Sequence, residues 1–454
     1  MGSDTVLKLL AAIFMGALFS VGRRWRKSST ILLHFSEKPA SLRIRNTSDG
    51  SVSTESLENL VEIRCPSLRS PFNPVWWLFS GHLQTIFCVV GDFSKSDQLQ
   101  YNRTLLRLEE GGTIGLDFAP ADHSKVPPDA PIIVILHGLT GGSYESYVRS
   151  IVVPATKPVE EGGLGYRAVV VNYRGCAGVP VTSPQLYSAG YTGDIRQALI
   201  YISQRYPRAP LLGLGFSLGA NVLTRYLAEE GEKSRLVSGC ALACPWDLAK
   251  NNDRLRYSFT GRFYSKAMAT NLINLVRRNL DGLNKFPDAM IANYIPIALN
   301  LKGALLDDFD NAFTRIAGGS APDFPFATAH DYYRWGSSHN IVDKIRVPFL
   351  AINAADDPVV QAVPMDGAGN GMVVMALTAS GSGASVDRWI KAPVLEWMSL
   401  MGEAVVHPSS PSYANISVQD GFHREEGRDG GCKEIEGGGI IQANSWEGVN
   451  LQGL

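Results

Sequence analysis

Four apolar runs constrain the fold of this chain more than any other feature. They are "PIIVILHGLTGG" (131–142), "YRAVVVNYRGCAG" (166–178), "APLLGLGFSLGANVLTRYLAEEG" (209–231) and "VPFLAINAADDPVV" (347–360). Each opens on aliphatic residues without polar alternation and then breaks at glycine or aspartate. A strand of that kind is covered on both faces, as parallel strands joined by crossover helices are. "YTGDIRQALIYISQRYP", after the second run, has helical spacing, and "LLRLEEGGTIGLDF" (105–118) reads as a hairpin turning at Gly111 and Gly112. Strands alternating with helices, without an internal repeat, predict an α/β fold with a mostly parallel sheet.

The chain has 454 residues, 45% apolar and 19% charged, enough for one large domain with appendages or two modest domains. A net charge of -1, with no long Lys/Arg block, argues against nucleic acid as a partner. The six cysteines are scattered, and no Cys/His spacing suits zinc, so reduced thiols and no structural metal are expected. Nothing points to a dissociable cofactor.

The chain opens with "VLKLLAAIFMGALFSVG" (6–22), followed at once by "RRWRK". A cleaved signal peptide would carry its charge before the apolar core, not after it. An amphipathic surface helix would need a polar face that these residues do not leave. The segment is therefore read as a signal anchor over 1–30, holding the rest on the cytoplasmic side, where the sequons at Asn46, Asn102 and Asn415 stay unglycosylated. Residues 31–62, serine-rich and weakly periodic, are expected to be a linker. Residues 407–454, rich in Gly, Ser and charge, are expected to be a disordered tail, which leaves 63–406 as the folded domain.

In "GLGFSLGAN", Ser217 stands between Gly215 and Gly219 where a strand breaks into a helix. A serine on such a strained turn is lifted above the sheet as a nucleophile, and the small neighbours let the backbones crowd there. The bland alternative is a tight glycine turn. "HGLTGG" follows an earlier strand, so the N–H groups of Leu139 and Leu218 are the expected oxyanion donors, about 3 Å from a substrate oxygen. His137, preceding glycine, is expected to orient that loop and not to act as base.

The acid should follow a late strand, in the order serine, acid, histidine. "NAADDPVV" supplies Asp357, with Asp356 as the alternative and a solvated acidic turn as the bland reading. A histidine is then expected about 30 residues on, ahead of the last helix. None stands between His339 and His407, and His407 follows the last helix pattern, so it would have to fold back to substitute.

"GHLQTIF", "HGLTGGSYESYVR", "NYRGCAGVPVTSPQLYSAGYTGDI", "GFSLGANVLTRYLAEEGE" and "NAADDPVV" together resemble the α/β-hydrolase branch of the fungal medium-chain fatty acid ethyl ester synthase/esterases. Animal membrane-anchored phospholipid hydrolases and plant embryogenesis-associated proteins belong to the same branch. The resemblance spans residues 71–398. It implies Ser217 as nucleophile, Asp357 as acid, a helical cap over about 247–325, an acyl ester or lipid substrate, and water or an alcohol as acceptor. The amphipathic stretch 262–280 then falls in the cap, its basic residues read as a solvated face, with a phosphate site as the alternative. The N-terminal anchor is common in the branch, which suits an endoplasmic reticulum or lipid droplet membrane. The family's Gly-Gly-His motif is missing: after Thr378 come Ser380, Gly381, Ser382 and Gly383, with the histidine expected near Gly383. So abrupt a local deficit points to a splicing or gene-model artefact, with a true isoform lacking the base as the alternative. The expected activity is serine ester hydrolysis or acyl transfer, impaired in this chain. A noncatalytic lipid binder or scaffold is the second reading. Epoxide or haloalkane hydrolysis is weaker, because it wants aspartate where Ser217 stands.

Overall fold

The computed structural model describes residues 31–46, 50–72, 77–78, 80–91, 93–360, 362–379, 388–407 and 413–443. The strands, in chain order, are β1 (Leu32–Phe35), β2 (Ser41–Arg45), β3 (Val52–Ser56), β4 (Gln100–Leu108), β5 (Thr113–Ala119), β6 (Ile132–Leu136) and β7 (Arg167–Asn172). There follow β8 (Leu211–Phe216), β9 (Ser238–Leu242), β10 (Phe349–Ala354), β11 (Val373–Thr378), β12 (Ile416–Gln419), β13 (Phe422–Glu425) and β14 (Gly431–Gln442). Twelve of them form one sheet in the order β1-β11-β10-β9-β8-β6-β7-β5-β4-β14-β13-β12. The central strands from β11 to β7 pair in parallel, and the outer ones are antiparallel.

The apolar runs are the parallel strands. Ile132, Val134 and Leu136 of β6 enter one core, while Ile133 and Ile135 enter the other. A two-residue period with both faces buried favours apolar side chains along the strand, and the buried polar residues Arg167, Asn172 and Asn353 stand at or near strand ends, so these strands read as largely apolar segments. Helices α1 (Leu57–Arg64), α2 (Gly81–Val90), α3 (Ser146–Thr156), α4 (Gly193–Arg205) and α5 (Leu218–Glu230) come next in the chain. Val148 of α3 and Leu60 of α1 pack on one side of the sheet; Ile195 of α4 and Leu223 of α5 pack on the other. Between β9 and β10 the chain leaves the sheet for a helical insertion, whose main members are α6 (Leu248–Tyr257), α7 (Phe259–Arg278) and α8 (Ala329–Gly336). The last helix, α9 (Lys391–Ser399), buries Trp397 on the α1 and α3 side.

Two expectations about the ends are corrected. Residues 31–62 are not a linker: β1 pairs with β11, from Leu32↔Leu377 to Phe35↔Val374, and β2 and β3 form a hairpin. Ile31, Leu42, Ile44 and Leu57 are buried with the main core, so this segment completes the sheet edge. Nor is the tail disordered over 413–443. Its strand β14 pairs along β4 from Cys432↔Leu108 to Gln442↔Gln100, with a bulge between Ile435 and Gly439, and covers what would otherwise be an open edge. Asp420 (φ 54°) and Gly421 (φ 78°) turn β12 into β13, the backbone such a two-residue hairpin requires. Charges that looked solvated are paired: Arg235 Nη2 meets Glu425 Oε1 at 2.6 Å, both buried, and Arg428 Nη2 meets Glu230 Oε2 at 2.6 Å. The proposed anchor at 6–22 lies outside the described residues. Among the described residues no helix is long and apolar enough to cross a membrane.

Candidate active site

Ser217 sits between β8 and α5 at φ 50° and ψ -116°, a conformation that costs a non-glycine residue energy and persists only where the surroundings enforce it. The flanking glycines show how. A Cβ at Gly219 would stand 2.4 Å from the Leu136 carbonyl oxygen, and one at Gly215 would stand 2.6 Å from Ala220 Cα. The Ser217 N–H donates to the Leu242 carbonyl at 2.8 Å, which ties the turn to β9. Asn221, one turn into α5, is buried and donates to the carbonyls of Ala189 (2.8 Å) and Gly336 (2.7 Å), fixing the helix start. A tight glycine turn alone would need no such enforcement around a serine.

The loop after β6 faces this turn. A Cβ on Gly138 would lie 3.2 Å from Tyr147 Oη and 3.7 Å from Ser217 Cβ, so this loop passes close beside the serine. The Gly138 N–H donates to Tyr147 Oη (3.0 Å) and the Thr140 N–H to Tyr187 Oη (2.9 Å). Between them, the N–H of Leu139 has no hydrogen-bond acceptor among the described residues, and neither has that of Leu218 at the first position of α5. Two unengaged amides, one on each side of the serine, suit an oxyanion.

His137 is fully buried. Its Nδ1 lies 2.8 Å from the Gly138 carbonyl and its Nε2 accepts from the Tyr173 N–H at 3.4 Å. Nδ1 therefore carries the proton, and burial pushes the pKa down to about 4. With both ring nitrogens engaged in backbone contacts, it orients the loop, as its place in the sequence suggests. A wider network holds the same loop: Asp117 accepts from Arg103 Nε (2.6 Å) and Asn172 Nδ2 (2.8 Å), and Asn172 Oδ1 accepts from the Ser143 N–H (2.9 Å).

Asp357 and Ser217 line the same cavity, of about 260 Å³, together with Leu139 and Leu218. Its walls are mainly apolar, with Met268, Leu272 and Leu275 of α7 and the aromatic rings of Phe309 and Phe313 facing it. Asp357 Oδ1 accepts from the N–H groups of Val359 (2.8 Å) and Val360 (2.9 Å). Burial raises its pKa, against the lowering effect of these two bonds, and the Asp356 carboxylate beside it raises it further. Asp356 makes a different contact. Its Oδ2 accepts from the Gly81 N–H at 2.8 Å, placing the carboxylate at the positive end of α2.

That contact explains "GHLQTIF", which the sequence singled out without assigning it a role. A Cβ at Gly81 would lie 2.4 Å from the Asp356 carbonyl oxygen, so only glycine lets α2 dock on the acid turn. Thr85, one turn along, reaches the cavity. His82 lies 2.9 Å through Nδ1 from Tyr264 Oη of α7, and Tyr264 in turn senses the Asp357 charge after its own burial. "NYRGCAG" and "GYTGDI" are likewise joined by a buried ion pair, Arg174 Nη2 to Asp194 Oδ1 at 2.6 Å.

No histidine lines the cavity among the described residues. His407 lies beyond α9, with Nε2 2.7 Å from the Met401 carbonyl, and does not fold back to Ser217. His339 faces Asp247 at 3.8 Å. Gly383 and its neighbours 380–387, where the histidine was expected, lie outside the described residues.

Because a serine, not an aspartate, occupies the strained turn at the end of a central parallel strand, the class defined is that of the serine hydrolases of esterase and lipase type. The family is equally plain: the model of the alpha/beta hydrolase fold matches residues 131–365, and the chain belongs to it. It is 29% identical over 432 residues to a monoacylglycerol lipase of Saccharomyces cerevisiae, covering 85% of this chain and 93% of that one. It is 31% identical over 345 residues to medium-chain fatty acid ethyl ester synthase/esterase 2 of the same yeast, covering 63% and 74%. To phospholipase ABHD3 of Mus musculus it is 28% identical over 333 residues, covering 72% and 76%.

Proposed function

We propose that this chain acts on acyl esters of lipids or medium-chain fatty acids through an acyl-enzyme at Ser217. The observation that carries the reading is the shared apolar cavity, which holds the strained serine and Asp357 within one acyl-sized space. Ser217 Oγ attacks the ester carbonyl carbon while its proton passes to a base, and the carbonyl oxygen becomes an oxyanion facing the N–H groups of Leu139 and Leu218. The bond to the leaving alcohol then breaks, and the alcohol takes the proton. Water or a second alcohol attacks the acyl-enzyme, returns a proton through the same base and frees Ser217, giving hydrolysis or ester exchange. Asp357 orients the base and balances its charge. A histidine near Gly383, between β11 and α9 in the sequence, would be that base, and this chain carries Ser-Gly-Ser-Gly instead. Its turnover is accordingly low. The N-terminal segment 6–22 holds the enzyme at an endoplasmic reticulum or lipid droplet membrane, with the hydrolase domain in the cytoplasm.

The absence of histidine from the described cavity lining favours a second reading, a lipid binder without turnover. Hydrolysis of p-nitrophenyl octanoate by the chain and by Gly383→His separates the two. The first reading expects slow turnover that rises sharply in the variant and vanishes in Ser217→Ala. The second expects no Ser217-dependent turnover in either chain, with octanoate still protecting the fold from heat.

A further inference from the structure

The bend between α6 and α7 carries three aromatic side chains into solvent. Tyr257 is 78% exposed, Phe259 82% and Phe263 42%. Phe259 and Phe263 are four residues apart on α7 and share a face, and Phe263 also meets the Tyr264 ring edge-on at 5.7 Å. Around them stand Arg254, Arg262 and Lys266, exposed and in no ion pair among the described residues. Arg256 is the cation that finds partners, on Asp307 at 2.6 Å and Asp308 at 3.4 Å. The segment 253–266 otherwise holds a single carboxylate, Asp253. The opposite face of the same helix carries Met268, Leu272 and Leu275 into the cavity of Ser217 and Asp357.

Here exposed aromatic rings stand among long cations that make no ion pair among the described residues. They suit a lipid–water boundary, where rings lie at headgroup depth, while Arg and Lys stretch to anionic groups and keep their stems in apolar surroundings. We propose that the α6–α7 bend is an interfacial contact seating the helical insertion on an anionic lipid surface. Tyr257, Phe259 and Phe263 enter the headgroup–acyl boundary, and Arg254, Arg262 and Lys266 meet lipid phosphates and carboxylates. The contact deepens the lipid-ester reading and rests on it for its purpose, because α7 then has lipid on one face and the cavity on the other. Its test reads binding alone, so it stands or falls separately from turnover.

Hydrogen exchange over 254–266 in the full chain provides that test, with and without vesicles of phosphatidylcholine alone or with one third phosphatidylserine. Exchange there slows on vesicles, most on those with phosphatidylserine. Tyr257→Ser/Phe259→Ser abolishes the slowing without lowering the thermal midpoint, since both side chains are exposed. Arg262→Gln weakens binding to the anionic vesicles by about fivefold, the effect of one cation near such a surface, and leaves phosphatidylcholine binding unchanged. Unchanged exchange over 254–266 in a chain that sediments with vesicles overturns the proposal, since residues outside the bend would then carry the contact. Failure to bind either vesicle, or equal slowing in the double variant, overturns it as well.

Discussion

The serine side and the base side of this site are built to different degrees. On the serine side the flanking glycines have a steric cause: Gly215 and Gly219 leave no room for a Cβ. On the base side the acid turn is equally well held, by two amides on Asp357 and by α2 on Asp356. The sequence that follows β11 reads "SGSGASVD" over 380–387, outside the described residues, and no histidine lines the cavity among the described residues. Nucleophile geometry is fixed by local backbone crowding and persists whether or not a base is present. Proton transfer depends on one side chain that crowding cannot replace.

The largest effect should come from completing the weaker side. Gly383→His, with an inserted neighbour if the segment is too short, is expected to raise kcat on a soluble ester by about a thousandfold, since a positioned base contributes roughly 10²–10⁴. Steady-state assays on purified chains measure it. Breaking the stronger side is expected to damage the fold. Gly219→Ala forces a Cβ against the Leu136 carbonyl and should destabilise by about 3 kcal/mol in urea unfolding.

The cavity wall offers a pH test of comparable size. Burial raises the pKa of Asp310 from 3.8 to about 6, although Thr314 Oγ1 and Tyr333 Oη each donate to it at 2.5 Å. The folded state thus keeps this proton to higher pH than the unfolded state does. Its stabilising effect is full below about pH 4 and is lost as pH rises through about 6, a change of about 3 kcal/mol. Asp310→Asn lacks that loss, so its stability relative to the parent should rise by this amount between pH 4 and 7. The opposite slope of His137 is common to both chains and cancels in the difference. The smallest effect divides the two aspartates. Asp356→Asn should cost about 1 kcal/mol through the start of α2, whereas Asp357→Asn should act on turnover in the histidine-restored chain.

The central sheet and the serine turn were legible because both are local. A buried parallel strand shows as a largely apolar run, and the turn shows as glycines two residues either side of the serine. The ends were misread because their partners are distant. β1 makes sense only beside β11, and the charges of Glu425 and Arg428 look solvated until Arg235 and Glu230 are found against them. The Asp420-Gly421 turn was a usable hairpin signal in that tail. That Asp356 receives the start of α2 while Asp357 lines the cavity likewise rests on the position of α2, which no spacing along the chain reveals.

Fluorophosphonate labelling followed by peptide mass spectrometry tests the central claim most directly, because it reports the serine itself in the parent chain, Gly383→His and Ser217→Ala. The expected result is a single adduct at Ser217, slow in the parent, faster by about a hundredfold or more with the histidine, and absent in Ser217→Ala. Folded chains that take no label at Ser217 even with the histidine in place would contradict the claim that this turn is a built nucleophile.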